Sequence, residues 1–516
     1  MCLLLAACDG EIIAGASILK PDPGAETRAK ADPTLEQLAQ KYFPGDDPAL
    51  PPTRLFRLTR TQLDNTARAL LPAHVTASLT ATMPQDPLQT NYEYSANLEF
   101  NAANFTPYIG WVSQLSASVL ASPGDVVGCA AGATACQQAA AKAFVLRAFR
   151  GAATDTQLQR YADLFTSSVP TVGVPQATAD LVDVTLSAPE YVFRDEVQTD
   201  GAGALLPALQ LQNLTYTLAD VPPEALGMRP DMPADEAALQ KVLASPQAHD
   251  KLLRFFLSWL EIRQVDDFTL SPVVFPEFTP AMAAAVRAET QRFVEAALNR
   301  PQPTLKDVTL AIPADAPDAH RLGVFTTSGM IASHSGPTTT RLVKRGVFFI
   351  RKVLCMDLGA PPPDVDRAAA NDAGSTQTER QRIESATAPA RCQGCHGYIN
   401  PLGFVQESYD PLGRWRTIDN GAPVDSSVTI PWLDEGTVET DSYVAALKAI
   451  TASARFKQCF VRQLFRYYLG RDETPGDATL LRDMFFWFAH DDQQDLTRLL
   501  LTLAMSSRFA HRVEAP

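Results

Sequence analysis

Cys392-Gln393-Gly394-Cys395-His396 sets two thiols three residues apart, with an imidazole directly after the second. A C-x-x-C-H run is the attachment signature of a c-type haem. Each thiol can add to one vinyl group of the porphyrin, and the histidine is then carried under the iron as proximal ligand. Two other chemistries use such a pair. One is a redox dithiol. The other is half of a zinc site, which needs further close ligands, and none lies nearby in the sequence. Haem c is therefore the expected cofactor, held by Cys392, Cys395 and His396.

The remaining cysteines fit export to an oxidising compartment. The chain holds 8 Cys in 516 residues. Leu5-Ala6-Ala7-Cys8 resembles a bacterial lipobox, which makes Cys8 the expected lipidation site and residues 1–8 a truncated signal. Cys129 and Cys136 bracket a loop of Gly, Ala and Thr with almost no side chains to pack, so a local disulfide is expected there. Cys355 and Cys459 form either a second disulfide, between the haem module and the C-terminal helices, or a pair of buried reduced thiols. The expected location is the periplasm or outer cell envelope. Contact with the membrane is expected through the lipid anchor only, since no run of sequence is long and apolar enough to span it.

Charge and missing motifs narrow the function. Lys+Arg is 44 and Asp+Glu is 58, a net charge of -14. That excludes a broad basic face for nucleic acid and favours a cationic redox partner if the acidic groups cluster. No G-x-G-x-x-G, P-loop, G-x-S-x-G or H-E-x-x-H run occurs. The acidic pairs Asp266-Asp267, Asp419 with Asp425, and Glu435 with Glu439 lack calcium-loop spacing and read as solvated turns.

The elements that must position the motif are mostly helices. Leu63, Ala67 and Leu70 make one stripe over Arg60–Leu71, and Ala139–Phe149, Thr156–Thr166 and Pro175–Ser187 follow. Val286–Leu298 shows the same period, as do Leu496, Leu499, Leu500 and Leu503. A helix over Phe456–Leu469 ends at Gly470, and Thr474-Pro475 opens the next. Asn420-Gly421 predicts a type I′ hairpin, with Val428 and Trp432 on a partner strand. Pro361–Arg391, opening with three prolines, reads as a loop leading into the motif. The expected fold class is mainly α: a multi-module helical protein with a cytochrome-c-like haem module and a small β-hairpin. The expected divisions are a tether at 9–50, helical modules at 51–125, 126–200 and 201–310, the haem module at 311–440, and a C-terminal helical module at 441–516.

Several short runs together resemble one group of proteins. They are Arg57–Thr66, Ala143–Arg150, Leu186–Arg194, Phe275–Phe278, Arg345-Gly346, Pro361-Pro362-Pro363, Cys392–His396, Pro401–Phe404, Tyr409–Arg416 and Tyr467–Arg471. The chain is similar, over about residues 53 to 512, to the planctomycete-type cytochrome-c-like proteins, built from consecutive modules of unknown function. One departure is Arg341-Leu342-Val343-Lys344, where the family commonly has Ser-Pro-Val. The resemblance implies a c-type haem and an exported location, and no defined reaction.

The sixth iron ligand decides what such a haem does. The first methionine after His396 is Met484, in a different module, so the ligand is expected from upstream. His334 is the first candidate and Met330 the alternative; resembling proteins often carry histidine near the place of His334. Trp415 is expected to pack on the macrocycle and Arg416 to pair with a propionate, while Pro401 and Phe404 cover the edge. The expected function is an exported monohaem cytochrome that passes single electrons to a protein partner, with the helical modules as docking scaffold. The alternatives are a haem enzyme with an open distal site, acting on peroxide, oxygen or an organic reductant, and an interaction protein in which haem is structural.

Overall fold

The computed structural model describes residues 24–45, 50–130, 132–262, 270–312, 320–359 and 376–513. Cys2, Cys8 and Pro361-Pro362-Pro363 lie outside the described residues. The described chain is mainly helical, with four two-stranded antiparallel sheets. None of its helices is long and apolar enough to cross a membrane.

Two apolar cores organise the elements. The first gathers side chains from residues 58–216. Its helices are Arg60–Leu70, Ala102–Val119, Thr134–Ala148 and Asp155–Leu186, the last kinked at Gly173, where φ is 80° between Pro170 and Pro175. Leu63, Ala67 and Leu70 are all buried, as their spacing predicts. The second core runs from Ala39 and Phe43 through Leu211 to Phe509, so the central, motif-bearing and C-terminal segments share one interior. Leu496, Leu499, Leu500 and Leu503 enter it from the Leu496–Ala504 helix. The Ala454–Leu469 helix ends at Gly470 in the left-handed region (φ 60°), and Thr474 caps the turn that follows.

Two segments differ from expectation for the same reason: their polar residues have partners. Residues 24–42, inside the segment read as a tether, form the helices Gly24–Ala31 and Pro33–Tyr42. Arg28 is only 1% exposed and pairs with Glu36 at 2.7 Å and with Asp483. Within the segment read as a loop, Glu379–Thr387 is a helix. Its Glu379 is buried, with Oε1 accepting from Leu342 N at 2.9 Å.

The Asn420-Gly421 hairpin is present, pairing Ile418-Asp419 with Ala422-Pro423. Val428 and Trp432 do not join it. They lie on Val428–Leu433, which turns back at Asp434-Glu435 to pair with Gly436–Thr440. A further pairing, Arg54–Arg57 with Phe193–Glu196, joins strands far apart in sequence. Both Cys129–Cys136 and Cys355–Cys459 are disulfides. The latter ties the segment before the motif to the Ala454–Leu469 helix.

Candidate functional site

The C-x-x-C-H run sits on one helix, Ala390–Phe404. Cys392 and His396 are four residues apart and Cys395 three from Cys392, so the three share one side of the helix. Both thiols are free and half-buried. Cys395 Sγ lies 3.6 Å from Leu358 O. Gly394 and Gly397 flank them, and a Cβ on either would meet nothing within 4 Å, so open space adjoins the motif. Among the described residues no group of three or more His, Cys, Asp or Glu is placed to hold a metal ion.

His396 is oriented by a short chain of hydrogen bonds. Its Nδ1 lies 2.8 Å from Asn400 Oδ1. An amide oxygen only accepts, so Nδ1 carries the proton and Nε2 keeps its lone pair. The Asn400 amide is fixed in turn: its Nδ2 donates to Thr387 Oγ1 at 3.1 Å, and Thr387 Oγ1 donates to Ile383 O at 2.7 Å. Gln393 Nε2 donates to Thr387 O at 2.6 Å. This is the arrangement a ligating histidine needs, with one nitrogen tied back and the other free. His396 and Asn400 line an open groove of ≈ 760 Å³ together with Arg380, Gln393, Pro401 and Phe404. Pro401 and Phe404 thus share the groove with His396, Phe404 being buried against Leu342 and Ile383. Arg380 lies over the Phe404 ring, 5.0 Å from its centroid, and donates to the carbonyls of Asp425 and Ser427.

The motif helix is held from behind by Leu342–Phe348. Gly346 faces the Ile399 carbonyl and Gly403 the Leu342 carbonyl so closely that a Cβ on either would overlap the opposing backbone. Arg345, fully buried, donates to the carbonyls of Gln406, Tyr409 and Asp410 and to Ser335 Oγ. Burial pulls its guanidinium down to about 10. The Arg345-Gly346 pair is therefore a packing device: glycine lets the helices meet, and arginine ties down the chain that leaves the motif helix.

The described residues lining this groove include neither thiol of the motif, nor Trp415, Arg416, His334 or Met330. Trp415 stacks on His320, rings parallel and centroids 3.5 Å apart, with Tyr409 edge-on to it. Arg416 donates to Glu407 O, Asp419 Oδ1 and Thr340 Oγ1, all between 2.7 and 3.0 Å. Both close the turn after Tyr409. His334 and Met330 are buried in a different cavity, lined also by Phe325, Phe348 and Phe349. His334 Nδ1 lies 3.0 Å from Met330 O, and Nε2 lies 3.4 Å from Glu261 Oε2. Burial works to raise the Glu261 carboxyl, but His334 and Lys352 hold it below its ordinary value. Among the described residues lining the His396 groove, none is methionine and none a second histidine. Conversely, Asn400 and Thr387 stand at the site without any sequence motif that marks them. The four-residue step from His396 to Asn400 is a helical repeat that the sequence itself displays; Thr387 reaches Asn400 only through the packing of its helix, Glu379–Thr387, against the motif helix.

Two family models match the chain. Residues 321–419, which contain the motif, match PSCyt3, a protein of unknown function (DUF1588). Residues 232–311 match PSD4, also a protein of unknown function (DUF1592). In the chain the DUF1592 match precedes the DUF1588 match. No curated protein and no solved structure matches it.

Proposed function

We propose that the chain is an exported monohaem c-type cytochrome that passes single electrons. The observation that carries this reading is the motif helix: two free thiols and an imidazole on one side, with the imidazole, though neither thiol, lining an open groove and its Nδ1 tied to Asn400. Haem c bound there would supply a one-electron carrier. The chain's own residues then have plain roles. Cys392 and Cys395 anchor, His396 presents Nε2, Asn400 and Thr387 hold its ring, and Phe404 and Pro401 exclude water from one edge. The two disulfides support an oxidising location, with anchoring through Cys8 and a cationic protein partner as parts of the same proposal.

One observation favours a second reading. The groove's described lining offers no second axial side chain, which suits a haem enzyme with an open distal position acting on peroxide, oxygen or an organic reductant. A single preparation tests both. The protein is matured in an exporting, haem-competent host, and its mass and visible spectrum are recorded. A covalent haem adduct on Cys392 and Cys395 is expected; a bare chain with free thiols there overturns both readings. Slow or absent carbon monoxide binding to the reduced protein supports electron transfer, and rapid binding supports the enzyme.

A further inference from the structure

We propose that a second site, far in sequence from Cys392–His396, binds a small hydroxylated organic anion. It is a cavity of ≈ 260 Å³ where five stretches meet. These are the start of Arg60–Leu70, the 88–95 hairpin, the helices Pro207–Ala219 and Pro246–Trp259, and the end of Ala454–Leu469. The space is large enough for several waters or one small ligand.

Two independent features point to a ligand. The first is Tyr468, which lines the cavity and is only 4% exposed, yet whose hydroxyl has no hydrogen-bond partner. Buried hydroxyls are nearly always bonded, so this one is placed for something that enters. The second is charge. Asp220 serves two cations at once, Lys251 Nζ at 2.6 Å and Arg254 Nη2 at 2.8 Å. Behind the cavity wall Glu196 serves three: Arg54, Arg194 and Arg512. Arg194 lines the cavity and its Nε has no partner. Burial, with the Arg54 and Arg512 charges, pulls that guanidinium down to about 9 despite Glu196. The cavity lining sets four cations, Arg60, Arg194, Lys251 and Arg254, against two carboxylates, Glu93 and Asp220, a positive surplus in a chain of net charge -14. Buried charge without a counter-charge is costly, and an anion relieves it.

The walls describe the rest of the ligand. Tyr92, Tyr216, Tyr467 and Tyr468 give aromatic faces, and Gln62 and Ser258 offer polar contacts. A carboxylate would meet the arginine side, and hydroxyl groups would meet Tyr468 Oη and its polar neighbours.

The test uses the full chain with its disulfides intact. Thermal melting and calorimetry are run with gluconate, glucuronate and tartrate, and with glucose and inorganic sulfate as controls. At least one of the three acids is expected to bind and raise the melting temperature, with glucose and sulfate weaker. Tyr468→Phe should weaken that binding by about tenfold while leaving the melting temperature of the free protein unchanged or raised. Arg254→Gln, at a partly exposed position, should weaken the acid and leave glucose unaffected. The proposal is overturned if no acid binds, if sulfate binds as tightly as the best acid, or if neither substitution changes the affinity.

Discussion

An imidazole is a well-defined ligand only when its second nitrogen is accounted for, and His396 meets that condition through Asn400 and Thr387. Replacing Asn400 with Leu should loosen the ring and lower the affinity of His396 for iron by roughly 10–100-fold. The measurement is the concentration of added imidazole needed to shift the visible spectrum of the haem-loaded protein. An unchanged titration removes Asn400 from the site. His334 is the contrasting case. It is held between Met330 O and Glu261, away from the groove, so His334→Ala should leave that spectrum unchanged. It should also cost about 1–3 kcal/mol by stripping a partner from buried groups, read from the denaturation midpoint. A change from six- to five-coordinate iron would instead restore His334 as distal ligand.

Helices meet at the motif because two glycines allow it. Gly346 and Gly403 lie in the same crossing, each against the other helix's backbone. Gly403→Ala should therefore destabilise the fold by about 1–3 kcal/mol, measured by denaturant unfolding, and displace the motif helix in the same step. Regular elements were legible in sequence wherever local signals agreed. The Ala454–Leu469 helix combined a helical period with a left-handed glycine stop, and the Asn-Gly turn fixed its own hairpin. Pairings that depend on distant segments were not. Val428 and Trp432 look equally suited to either neighbouring strand, and only the turn at Asp434-Glu435 selects Gly436–Thr440. Glu379–Thr387 has too few apolar residues to show a period; Leu342 N donates to its Glu379 carboxylate, and the Asp419 and Glu407 carboxylates accept from the backbone N–H groups of Glu379 and Arg380.

Across the whole molecule, ionic and covalent ties join the ends of the chain. Glu196 on one strand meets Arg54 on the next and Arg512 near the C-terminus. Burial works to raise its carboxyl, but Arg54, Arg194 and Arg512 win and hold it at about 2, below the ordinary 4.5. A carboxyl lowered on folding stabilises the native state above its unfolded value and loses that contribution as the pH falls. The Glu196 contribution should thus be complete above pH 4.5 and fade towards pH 2. Glu196→Gln should cost about 3–5 kcal/mol at neutral pH and flatten the acid limb of a stability-against-pH curve. A limb of unchanged slope would show that other carboxyls govern it. The Cys355–Cys459 bridge spans 104 residues, and replacing both with Ala should cost about 2–5 kcal/mol, measured by unfolding in denaturant.

By itself the sequence determined the helices with strong periods, the Asn-Gly turn and the spacing of two thiols and an imidazole, because each depends on residues within a few positions of one another. Only the tertiary structure decided which nitrogen of His396 is free, where His334, Trp415 and Arg416 lie, and that Tyr468, Lys251 and Arg194 line one cavity. Those are contacts between segments tens to hundreds of residues apart. Their geometry is set by which surfaces pack together and which buried charges find partners, and no local pattern encodes that.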